Sequence, residues 1–180
     1  MRSTSLFGGH DHRSSVDTQR LRLSARVAAT LAVIYAIPHI WWGLGVDWLA
    51  PGDMSGDSGL GSNDAIRFFA FYGMGFLAVV SAYLTIAMVR PVRPAVPPWL
   101  VTLHGWCISV LLLLRGGIGV VESTLISTGV RDCPFVGCGG SEPGRDSIGM
   151  TGMFWEPLFV VWGVALLATV AWKTRSRQRR

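Results

Sequence analysis

The sequence predicts an all-α fold, a four-helix bundle embedded in a membrane with both termini cytoplasmic. Three observations carry that expectation. Half of the 180 residues are apolar and only 15% are charged, against about 25% charged in a soluble domain. The mean hydropathy is positive, at +0.41. The apolar residues fall into four blocks of about 20, the length that crosses a ~30 Å hydrocarbon core. An ordinary soluble domain and a disordered chain are both excluded on this balance.

Residues 1–24 are polar and basic, and read as a disordered tail. They lack the early apolar run of a cleavable signal peptide. The triplet His10-Asp11-His12 reads as tail rather than as a metal site, and no metal is expected.

The four spans follow in order. The first covers 25–46 (ARVAATLAVIYAIPHIWWGLGV), the second 66–89, the third 99–121 and the fourth 151–172. Each is expected to be helical, because a segment in lipid must satisfy its own backbone. The third contains Arg115. A central Arg costs about 2.5–3.5 kcal/mol on insertion and each Leu, Ile or Val returns about 0.3–0.6. Twelve such residues in the block outweigh it. Residues 173–180 form a basic tail.

Orientation follows from Arg and Lys. Residues Arg2, Arg13, Arg20, Arg22, Arg26, Arg90, Arg93, Lys173, Arg175, Arg177, Arg179 and Arg180 lie before or at the very start of the first span, join the second to the third, or follow the fourth. The first connection is acidic, with Asp47, Asp53, Asp57 and Asp64. The positive-inside rule therefore puts both termini in the cytoplasm of a cell-membrane protein. The net charge of +5 fits tails that face anionic lipid headgroups, with no need of nucleic acid. Fifteen of the sixteen basic residues are Arg, which points to a GC-rich bacterial genome.

On this topology His39, Arg115, Glu122 and Glu156 share a depth in the outer half. Ionisable groups inside a membrane usually face the bundle interior and find partners there. His104, Leu111, Arg115 and Glu122 are spaced 7-4-7 and share a helical face, while Tyr35, His39 and Gly43 are spaced 4-4 with Trp42 adjacent. The expected cluster is His39, Trp42, Tyr72, Arg115, Glu122 and Glu156, serving as a small-molecule or headgroup site or as a lock between helices. Arg115 is expected to pair chiefly with Glu156. Trp48 and Trp155 read as an interfacial belt. Gly73, Gly75, Gly116, Gly117 and Gly119 permit close helix approach and form no phosphate loop.

Cys107 reads as an apolar filler. Cys133 and Cys138 (DCPFVGC) lie in an outer loop, where a structural disulfide is expected.

The stretch PHIWWGLG, with His39-x-x-Trp42-x-x-Gly45, resembles the signature of a small bacterial family of four-helix integral membrane proteins of unknown function. LLRGGIG in the third span and EPLFVVWGVALLA in the fourth are similar in kind. The resemblance implies a fold and a membrane location but no activity or cofactor. Two alternatives stand beside a non-enzymatic membrane protein. One is a quinone-linked thiol oxidoreductase using Cys133 and Cys138. The other is a small transporter subunit, which four spans build only as a homo-oligomer.

Overall fold

A computed structural model describes residues 9–46, 65, 68–90, 96–131 and 145–178. Helix α1 spans Gly9–Gly43. A π-helical turn at Phe69–Gly73 leads directly into α2, Met74–Val89. Helix α3 spans Pro98–Ser127 and α4 spans Arg145–Gln178. No strand occurs among the described residues. Among the described residues four segments are long and apolar enough to cross a membrane: Val16–Gly43, Phe69–Val89, Pro98–Ser127 and Phe154–Ser176.

The stretch expected as a disordered tail is helical from Gly9 onward. No proline interrupts the chain before Pro38, and Arg, Gln and Leu, all good helix formers, continue the helix beyond the apolar block. Helix α3 likewise runs past Val121 to Ser127, which carries Glu122 on the helix. Pro98 opens α3, where its missing N–H costs nothing.

The helices alternate in direction. Packing is most extensive between α3 and α4 and between α1 and α2, with α1 also against α4. Helix α1 buries Ala25, Ala28, Ala29, Ala32 and Ala36, a stripe of small residues that lets its neighbours approach closely. The outward surface is apolar, with Phe69, Phe76, Leu77, Leu114 and Val161 all exposed, as a lipid-facing surface requires. Interior hydroxyls are satisfied locally. Thr85 donates to Ser81 O at 2.7 Å and Thr169 to Ala165 O at 2.8 Å. Polar contacts also join the helices, among them Thr169 Oγ1 2.9 Å from Ser24 Oγ and His104 Nε2 3.1 Å from Ser81 Oγ. Each removes from lipid a group that would otherwise be costly to bury.

Candidate functional site

Helix α3 turns the face Val101, Gly105, Ser109, Leu112, Gly116 and Gly119 inward. That face is offset by one residue from the expected 104/111/115 face. Leu111 is 60% exposed, and Arg115 stands at the edge of the packed surface with its side chain 59% exposed. A span that is apolar all round carries little periodic signal to separate lipid-facing from protein-facing positions. The inward face is marked by its small residues.

Those small residues admit α4. A Cβ on Gly116 would stand 2.8 Å from Glu156 O and 2.9 Å from Phe159 Cβ. A Cβ on Gly119 would collide with the Glu156 carboxyl itself. Glu156 therefore lies against the bare backbone of α3, only 4% exposed. Arg115 reaches it along the helix edge, with Nη1 2.7 Å from Oε1 and 2.8 Å from Oε2. The expected pair is formed. The guanidinium carbon also sits 5.7 Å from the centre of the Phe159 ring, which adds a cation–π contact. Among the described residues the remaining guanidinium donors bond to nothing else. Glu122, half-buried one turn beyond Gly119, is within electrostatic reach of Glu156.

Beside the pair lies an aromatic cluster from α1 and α4. Tyr35 packs against His39, Trp155, Phe159 and Trp162, at ring separations of 4.0, 6.0, 5.3 and 5.8 Å. His39 also meets Trp42 at 4.9 Å, and Trp42 meets Trp155 at 5.6 Å. Tyr35 is within electrostatic reach of both Arg115 and Glu156, so the cluster and the ion pair adjoin. His39 Nδ1 is 2.9 Å from Tyr35 O. A carbonyl only accepts, so Nδ1 carries the proton and the neutral ring keeps Nε2 as an acceptor.

Several expectations change. Trp155, expected in an interfacial belt, is 7% exposed and sits within the cluster. The end-of-span position that suggested a belt is also where α1 and α4 close on each other. Trp48 lies outside the described residues. Tyr72 stands at the α1–α2 seam instead, its ring 2.7 Å from where a Gly43 Cβ would be and 5.1 Å from the Phe68 ring. Phe159 and Trp162 were missed, although 155, 159 and 162 share one helical face at 4-3 spacing. Among the described residues the indole N–H of Trp162 is buried without a hydrogen-bond partner, a costly state for a polar group.

Cys107 is free and exposed on the apolar surface, not an interior filler. Cys133 and Cys138 lie outside the described residues, as does the acidic connection. The side chains of His10 and His12 are likewise not described. Among the described residues no group of His, Cys, Asp and Glu is arranged to hold a metal ion.

A protein-family model described as "Protein of unknown function (DUF3995)" matches residues 32–166. No curated protein and no solved structure matches the chain.

Proposed function

The chain belongs to this family of unknown function, and from that premise we propose that it is a cell-membrane protein with cytoplasmic termini that binds an amphiphile headgroup at Arg115. The observation that carries the proposal is the asymmetry of the ion pair. Glu156 is buried, while most of the Arg115 side chain is exposed on the flank of a membrane span. Unsatisfied donors in an apolar medium are costly, and a headgroup oxygen satisfies them.

The electrostatics choose the headgroup. Glu156 already balances the guanidinium charge, so the pair is neutral as a unit. It suits a dipolar acceptor, such as a carbonyl or a zwitterionic headgroup, better than a second full anion. Phe159 offers a ring face beside the guanidinium, and Tyr35 with His39 supplies polar tips behind it. Helix α2 touches α3 near Ser81 and Met88, at the other end. At Arg115 the flank is open enough to admit a lipid-soluble molecule.

The test is the set of small molecules carried through purification. Wild-type protein and Arg115→Gln are each purified in mild detergent, and bound molecules are identified by mass spectrometry. The wild type should retain an amphiphile that Arg115→Gln loses while its helical content is unchanged. The same molecules at the same occupancy in both would overturn the proposal. The thiol-oxidase alternative depends on Cys133 and Cys138, and no observed contact favours it.

A further inference from the structure

A second feature lies at the opposite end of the bundle, between α1 and α2. A cavity of about 220 Å³ is lined by Arg22, Ala25, Arg26, Ile86, Val89 and Arg90. Three of its six lining residues are arginines. Arg22 and Arg26 are one turn apart and share a face of α1. Arg90 comes from the end of α2, where the backbone turns extended at φ −98° and ψ 142°. Its N–H still bonds to Ile86 O at 3.1 Å, which holds the residue at the cavity rim.

Like charges one turn apart repel on an isolated helix, and here a third guanidinium converges on them from another element. Among the described residues no ion pair to Arg22, Arg26 or Arg90 is seen, so the three charges converge without a paired carboxylate. Ala25, Ile86 and Val89 make the walls apolar, and Ala25 is fully buried. Fork-shaped donors around a space larger than the ~30 Å³ of one liquid water match a tetrahedral oxyanion with several acceptor oxygens.

We infer that this cavity is a phosphate-binding site at the membrane surface, and that it takes the phosphate of an anionic phospholipid headgroup or free phosphate. The inference does not depend on the role of Arg115, which lies at the other end of the bundle.

The full-length protein is titrated in detergent with phosphatidylglycerol, with phosphatidylcholine and with inorganic phosphate. Binding is read by native mass spectrometry and by the melting temperature. Phosphatidylglycerol or inorganic phosphate should bind and raise the melting temperature, and phosphatidylcholine should not. Phosphatidylglycerol alone identifies a lipid site, and competition by inorganic phosphate identifies a free-phosphate site. Arg26→Gln should weaken binding about fivefold, the usual effect of one arginine near an anionic headgroup. Arg22→Gln/Arg26→Gln should remove most of it. Arg20→Gln/Arg175→Gln deletes the same charge outside the cavity and should retain binding. Arg22→Lys/Arg26→Lys keeps the charge and loses the planar fork, so it should bind more weakly than wild type while remaining folded. Equal losses in the two glutamine pairs, or no binding of either phosphate probe, would overturn the inference.

Discussion

Glu156 and Arg115 are unequal partners, and the inequality is measurable. The carboxylate is sealed between α3 and α4, whereas the guanidinium is mostly exposed. Arg115→Leu strands a buried charge, which costs about 3–5 kcal/mol. Glu156→Gln leaves the cation at the bundle edge, with a cost nearer the ~1 kcal/mol of an exposed pair. Melting temperatures in detergent should therefore fall further for Arg115→Leu than for Glu156→Gln. The double variant should recover part of the loss, with a coupling of about 0.5–3 kcal/mol. Strictly additive losses would show that the two side chains do not interact. His39 separates support from binding. His39→Ala removes the bond to Tyr35 O without touching the pair, so it should leave the Arg115–Glu156 coupling unchanged.

Helix packing is set by where side chains are missing. Gly117 and Gly119 are two residues apart on α3, and their surroundings differ completely. A Cβ on Gly119 strikes the Glu156 carboxyl, while a Cβ on Gly117 meets nothing within 4 Å. Gly119→Ala should thus push α4 away and lower the melting temperature. Gly117→Ala should be neutral or stabilising, since Ala favours a helix over Gly by about 0.8–1 kcal/mol. Equal effects of the two would contradict the close approach of Glu156 to α3. The same pair shows what was legible in the sequence. The four spans could be read from apolar length alone, and the Arg115–Glu156 pair from their common depth. The inward face of α3 could not, because Leu111, Leu112 and Leu114 look alike whether they meet lipid or protein. Gly105, Gly116 and Gly119 held that information, but glycine tolerance says only that an approach is allowed. Trp155 and Phe159 were obscured for the same reason, as rings at a span end suit either an interface or a core. The helical irregularities also gather at that end: Pro38 in α1, Pro157 in α4 and the π-turn at Phe69–Gly73. Each frees or shifts a backbone bond next to Tyr35, His39, Glu156 or Tyr72.

At the scale of the whole molecule, the two ends differ in chemistry. One end carries Arg20, Arg22, Arg26, Arg90, Lys173 and Arg175, and the other carries Trp42, Tyr72, Glu122 and Trp155. The alternating helices put the start of α1, the end of α2 and the end of α4 together, so basic residues scattered through the chain are collected at one surface. Helix α3, at 30 residues, is about 45 Å long at 1.5 Å per residue. It outruns a ~30 Å hydrocarbon core, which lets Glu122 approach the interface. Lys and Arg near span ends favour the cytoplasm, so the basic end should face inward. Alkaline phosphatase fused after Arg180 should then be inactive, and the enzyme inserted between Gly56 and Gly61 should be active. The same orientation puts Cys133 and Cys138 on the oxidising side, where thiol alkylation with and without reductant should detect a disulfide. An active fusion after Arg180 with an inactive insertion at Gly56–Gly61 would reverse the molecule. Arg115 would then meet the inner leaflet, and the three-arginine cavity would open on the outer surface. The phosphate titration in detergent would read the same in either orientation, so only the fusions distinguish the two.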